Sequence, residues 1–173
     1  AGCGSAVHSD ADAAKAYLGI DPSIDQAIAL GFDGFNSAQS ANISPQTANG
    51  MKTGTLTVTG QVDQGASANK GMRLSTEYTM YSDDGLITYA TAPAALPMLD
   101  MMLKNIPTGT FTGTLAGTVT MTGDEKGALT LNLTFSGNLQ AGTGNTVERA
   151  PGTTHVTGTA ISTAGTYTVD LTR

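Results

Sequence analysis

The sequence predicts a mainly β protein: an antiparallel meander of about seven or eight strands closing as a barrel or sandwich, preceded by two short helices. Three observations carry this expectation. Of the 173 residues 28 are Thr, whose β-branched side chain and small hydroxyl suit a pleated surface facing water. From about Thr53 onward apolar residues recur at every second position, the period of a strand with one buried face. The alternating stretches are separated by turn signals: Asp84-Gly85, whose two residues tolerate the positive φ of a tight hairpin, then Gly123-Asp124-Glu125-Lys126-Gly127 and Thr163-Ala164-Gly165 as connectors of the later pairs.

In chain order, residues 9–19 read as a short helix. Ser9 or Asp10 caps its free amides, alanines fill its middle, and Gly19 is placed to close it in a left-handed conformation. A second helix starts at Asp21 as N-cap with Pro22 in the first turn. Ile24, Ala27, Ile28 and Leu30 form its apolar face, Gly31 is expected to stop it, and Phe32 and Phe35 to dock its end on the body. Strands are expected at 53–63, 71–82, 86–91, 109–122, 128–140, 153–161 and 166–172. In each, residues such as Leu129, Leu131, Leu133 and Phe135 alternate with Thr130, Asn132, Thr134 and Ser136.

Residues 93–107 break the pattern. Pro93, Pro97 and Pro107 surround Met98, Leu99, Met101, Met102, Leu103 and Ile106, an apolar group in a connection long enough to cross the body or cap an open end. Flexible methionines fill irregular gaps, so core filling is one reading. A lip over an apolar cavity, or a contact for another chain, is the other, and it makes Met98, Leu99, Met101, Met102 and Ile106 candidate ligand or partner contacts. The chain thus divides into a flexible tether (1–8), a helical segment docking on the body (9–52) and an antiparallel β domain (53–173).

Composition narrows the function classes. Only eight residues are Lys or Arg and the net charge is -6, which leaves no basic stripe for a nucleic-acid backbone. Hydrophobic residues make up 39% and alternate in register, which favours a folded chain over a disordered one. The lone cysteine stands in Ala1-Gly2-Cys3-Gly4, a small-residue stretch in which a thiol is accessible rather than enclosed.

This stretch resembles the end of a bacterial lipobox, in which a small apolar pair precedes the cysteine that becomes acylated. The Gly-, Thr- and Asn-rich body is similar to lipoproteins of myxobacteria and their relatives. The resemblance implies export, a lipid on Cys3 and, with Gly4 after the cysteine, the outer membrane or cell surface of a Gram-negative bacterium. It implies no activity. An intermolecular disulfide and a plain free thiol are the alternative fates of Cys3.

Catalytic and metal motifs are not apparent. His8 and His155 are the two histidines; no nucleophile elbow, Cys–His arrangement or His-x-x-x-His spacing accompanies them. If an active site existed, His155 with Glu148 would be its best candidate. Asp83-Asp84 and Asp124-Glu125 fit turn chemistry better than a calcium loop, and Gly142-Thr143-Gly144-Asn145 lacks the strand-to-helix context of a phosphate loop. No cofactor is expected. The expectation is therefore a non-enzymatic envelope protein, a binding or structural accessory subunit whose partners are the membrane, other envelope proteins or further copies of itself. The alternatives are a barrel carrying a lipid or other apolar ligand, and a self-assembling secreted or filament subunit; a threonine surface poor in Lys and Glu protects sheet edges weakly.

Overall fold

The structure, a computed structural model, describes residues 4–64 and 66–173. Two helical pieces open the chain, α1 (Asp10–Ile20) and α2 (Pro22–Ser37). Ten strands follow: β1 (Asn42–Asn49), β2 (Thr53–Val62), β3 (Lys70–Ser82), β4 (Ile87–Ala90), β5 (Met98–Lys104), β6 (Thr110–Gly123), β7 (Gly127–Ala141), β8 (Val147–Arg149), β9 (His155–Ser162) and β10 (Gly165–Thr172). The mainly β, antiparallel class with helices at the N-terminal end is as the alternation and the turn residues require.

Ser9 caps α1 as expected, its hydroxyl accepting from the Asp12 amide at 3.1 Å. The helices do not separate where glycine suggests. Asp21 keeps helical angles (φ -53°, ψ -42°), so α1 and α2 are two joined pieces of one helix, and Pro22 sits in the first turn of the second. Gly19 is instead a contact residue: a Cβ there would lie 2.3 Å from the Tyr89 hydroxyl. Gly31 and Gly34 likewise pass through the helix interior, packed against Met72 and Ile43. Their small size sets how closely α2 approaches the sheet, a tertiary use of glycine that overrides its helix-stopping tendency.

All strands join one antiparallel sheet in the order β1-β2-β3-β4-β6-β7-β9-β10, with β5 also lying between β3 and β6, and β8 extending the edge of β7 beyond β9. Strands β4 and β5 lie end to end between the two long strands. Tyr81 of β3 pairs with Tyr89 of β4, while Lys70 to Ser75 pair with Leu103 to Met98 of β5. This makes a ring through β3, β4, β6 and β5, which is not a clean barrel. The interior expected inside a barrel or between two sheets is supplied by helices: α2 packs on β1, β2, β3 and β8, and α1 on β4 and β10.

The strand count exceeds the expected seven or eight because three strands hide their signal. In β1, Pro45 and polar neighbours disguise the alternation. Strand β8 is three residues long. Strand β5 lies inside the proline-bracketed segment 93–107, where apolar residues occupy both faces: Leu99, Met101 and Leu103 are buried and Met98 and Met102 exposed. The expected connection is therefore a central strand, its outward methionines obscuring the period. The segment boundaries also move. Val7 is fully buried and Ser5 forms a bridge with Glu125, so the described end of the expected tether 1–8 is packed on the body, and residues 42–49 belong to the sheet rather than to the helical segment 9–52.

Four buried tyrosine hydroxyls serve the interior's polar groups. Tyr89 donates to the Ala16 carbonyl at 2.5 Å, Tyr17 to Asp21 at 2.5 Å and Tyr81 to Asp83 at 2.6 Å, and Tyr78 shares a 2.8 Å hydrogen bond with Ser23. Tyr81 also reaches Gln26 of α2 at 3.3 Å, so all four tie a helix to a strand or to its own next turn, and each large apolar ring is buried without stranding its hydroxyl.

Where the chain leaves β4 and returns as β5, the gap is closed by Pro97 against Gly117 of β6. Gly117 has φ 146°, and a Cβ there would lie 2.5 Å from Pro97 Cα. Gly117→Val is therefore expected to lower stability by about 2 kcal/mol or more and the melting temperature by roughly 5 °C or more. Ala116→Val, one residue away on the exposed face, should change it by less than about 0.5 kcal/mol. Thermal unfolding of both variants checks this, and equal melting temperatures would refute the steric role of Gly117.

Candidate functional site

The outer face of the sheet, the one the helices leave uncovered, is built from cross-strand rows of short polar side chains. Register places Thr114 of β6 opposite Thr134 of β7, which in turn faces Thr157 of β9; Asn132, Thr159 and Thr168 form the neighbouring row across β7, β9 and β10. Thr118 and Thr130 share a hydrogen bond of 2.7 Å across β6 and β7, and Thr47 and Thr57 one of 2.8 Å across β1 and β2. Charges on this face gather at one side, where Arg73 stands opposite Asp100, and at a corner, where His155 Nε2 lies 2.8 Å from Asp170. Between them β6, β7 and β9 present hydroxyls, amides and methyl groups.

Each edge of the sheet carries a feature that limits strand addition. On β10 the Thr168 amide donates to Asp10 of α1 at 2.8 Å. On β1 Pro45 offers no amide and the register shifts between Ile43 and Gln46, both devices that discourage strand addition. A face flanked by such edges can meet a partner by surface contact rather than by extending the sheet.

A second feature is polar and buried. At the joint of α1 and α2, Asp21 receives Arg149 Nη1 at 2.9 Å, Arg149 Nη2 at 3.0 Å and Arg173 Nε at 2.9 Å. Arg149 also donates to Asp25, through Nε at 3.0 Å and Nη2 at 2.8 Å. The side chains of Arg149 and Asp21 are 5% and 2% exposed. Burial pushes the Asp21 carboxyl up, but the guanidinium of Arg149, with Tyr17 and Arg173, outweighs it and holds the group below the usual carboxylate range. The Arg149 guanidinium is directed at Asp21 and Asp25 throughout, so its role is attachment: it rivets the helix joint to β8.

A third feature is a cleft of about 430 Å³ beside the last turns of α2. Phe32 and Phe35 of the helix, Ile106 after β5 and Val147 at the start of β8 form its apolar walls, and Lys70 at the start of β3 lies in its lining. The Lys70 ammonium stands 4.4 Å from the centroid of the Phe35 ring.

The residues singled out by sequence fall in different places. Cys3 lies outside the described residues. Met98 and Met102 face outward on β5, where Met98 Sδ accepts from the Ser75 hydroxyl at 3.2 Å. Leu99 and Met101 are core residues, and only Ile106 of the five lines the cleft. His155 and Glu148 are not brought together: His155 pairs with Ser136 and Glu148 with Gln140, four residues apart on β7, and the carboxylate beside His155 is Asp170. His8 pairs with Asp12 in the exposed first turn of α1.

The acidic pairs have local duties. Asp84 accepts from the Leu86 and Ile87 amides at 2.7 and 3.2 Å, and Asp83 from the Met51 amide at 2.9 Å; Asp124 and Glu125 both face Lys15. Among the described residues no three His, Cys, Asp or Glu side chains gather as a metal site. The Asp21–Arg149 cluster and Lys70 went unread in the sequence; the one available signal was an Arg at alternate spacing from Val147, where a strand turns its buried side. No protein-family model, curated protein or solved structure matches the chain.

Arg149→Met is expected to cost about 3–5 kcal/mol at pH 7, because it leaves the buried Asp21 with only Arg173 and Tyr17 as donors and removes the charge partner of Asp25. The pH dependence follows from the sign of the shift. In the native protein the depressed pKa of Asp21 contributes stability above the unfolded value of about 3.9, and that contribution is lost as pH falls through the folded value. In the variant, burial without the guanidinium raises the pKa of Asp21, so acid relieves the defect. Urea unfolding at pH 7 and pH 4 should show the gap between the two proteins narrowing at the lower pH; a constant gap would refute the charge pairing.

Proposed function

We propose that this chain is an exported cell-envelope protein, held at the outer membrane or cell surface through a lipid on Cys3. It serves as a binding or structural accessory subunit rather than as a catalyst, and its contact surface is the uncovered face of the sheet. The observation that carries this reading is the run of short hydroxyl and amide side chains across β6, β7 and β9, in a sheet whose β10 edge is held by Asp10 and whose β1 edge is interrupted at Pro45.

The physical argument concerns what contact costs. Long charged side chains lose up to about 2 kcal/mol of rotamer freedom when immobilised, and their charges must be desolvated. Threonine carries one stiff χ1 torsion, a methyl group to bury and a hydroxyl that pairs with a neighbour or a partner. Such a face is soluble while free and cheap to cover. The partner it fits is another envelope protein with a flat, polar, weakly charged surface, brought near by the membrane anchor.

Two measurements test the reading separately. The intact mass of the protein isolated from its own cells should show a chain beginning at Cys3 and heavier by a diacylglyceryl group and a fatty acid; an unmodified chain retaining Ala1 would overturn the anchor. Native electrophoresis of the solubilised envelope should place the wild type above its monomer mass. The double variant Thr118→Lys/Thr134→Lys should fold with a melting temperature within a few degrees of wild type and run as a monomer. Continued migration of that variant with the assembly would remove the face from consideration.

A further inference from the structure

The cleft beside α2 lies away from the uncovered face and has a different chemistry. Its volume of about 430 Å³ is within the range of small-molecule sites, roughly 300–1,000 Å³. Phe32, Phe35 and Ile106 are half-buried, so aromatic and aliphatic surface stands in the cleft with its back against the core. Among these apolar walls is one buried cation. Lys70 is 4% exposed, and its ammonium lies over the Phe35 ring.

We propose that this cleft binds a small amphipathic monocarboxylate, its alkyl or aryl chain against Phe32, Phe35 and Ile106 and its carboxylate at Lys70. An ammonium held in a low-dielectric wall interacts with an entering anion far more strongly than a solvated one does. The ammonium keeps the partners it has within the protein, and it is its charge, set against the Phe35 ring, that attracts an entering carboxylate. Asp63 contributes an opposing charge near Lys70, but that group is engaged by Arg73 at 3.1 Å and by the Gly71 amide at 3.0 Å.

The rim sets the selectivity. Asp33 is the one acidic residue in the lining, and it is exposed. A second negative charge at the outer end of a ligand would meet it unfavourably, which disfavours dicarboxylates and favours a chain with a single charged end. Gly144, Asn145 and Thr146, with Val147 at the start of β8, complete the lining; Gly144 and Asn145 have φ 69° and 65°. Ala29, half-buried on α2, stands at the cleft with a side chain small enough to leave it open.

Isothermal titration of the full chain with decanoate, kept below its micelle concentration, tests the proposal. One decanoate should bind with a Kd on the order of 0.1–1 mM, the range expected for a ligand of about a dozen heavy atoms. Decanol and the dicarboxylate sebacate should each bind at least tenfold more weakly. Ala29→Trp, which fills the cleft, should abolish binding while leaving the melting temperature near wild type. Lys70→Met should reduce decanoate to the affinity of decanol; if that variant does not fold, Ala29→Trp and the decanol comparison decide the matter. Absence of decanoate binding, equal binding of decanol by the wild type, or undiminished binding by Ala29→Trp would each overturn the proposal.

Discussion

A single wide antiparallel sheet has two faces, and this chain contains helix enough to cover one. Burying that inner face is the constraint on which the remaining structure depends. Leu56, Val58, Leu74, Leu133, Phe135 and Val156 alternate inward along four strands and are almost fully excluded from water. Each large apolar side chain so buried is worth about 1.5–3 kcal/mol. On β2 and β3 that stabilisation depends on α2, which packs on both strands. Residues that look like ordinary helix punctuation are therefore recruited for fit: Gly19 admits the Tyr89 hydroxyl, and Gly31 and Gly34 admit Met72 and Ile43.

The helix joint is held by charge rather than by packing. Asp21 has the residue type of a helix cap but makes no capping hydrogen bond; it receives two arginines and a tyrosine instead. A buried ion pair adds little net energy over a well-packed apolar substitute, yet it discriminates strongly against misplacement because a displaced partner leaves a charge without water. Arg149 and Asp21 thus specify where the bend between the two helical pieces meets β8, and their cost in desolvation is met by complete hydrogen bonding.

Charge is scarce in this chain, with eight Lys and Arg against 14 Asp and Glu, and its distribution separates structural from exposed duties. Arg149 is consumed in the interior, Lys70 is buried beside an aromatic ring, and Lys15 is turned toward Asp124 and Glu125. What remains for the middle of the outer face is threonine, serine and asparagine. The two proposed contacts follow from this division: a broad neutral surface suited to another flat surface, and a narrow apolar cleft with a cation in its wall suited to a small amphiphile.

The strands with strict alternation were legible in the sequence. Those beginning near Thr53, Lys70, Ile87, Thr110, Gly127, His155 and Gly165 follow the expected segments within about two residues, because period-two burial is a local property of the chain. The caps and turns at Ser9, Pro22 and Gly85 were legible for the same reason. Strand β5 was not, since outward methionines erase its period. Nor was β1, whose proline argues against a strand until an edge position makes it tolerable. The candidate sites were the least legible of all: Arg149 reaches Asp21 across 128 positions, and Lys70 meets Phe35 only because α2 folds back over the start of β3. Sequence by itself determined which residues alternate and where the chain turns. Tertiary structure alone decided that helices pack on the inner face at β1 to β4, β8 and β10, because that outcome depends on how closely two distant surfaces can approach.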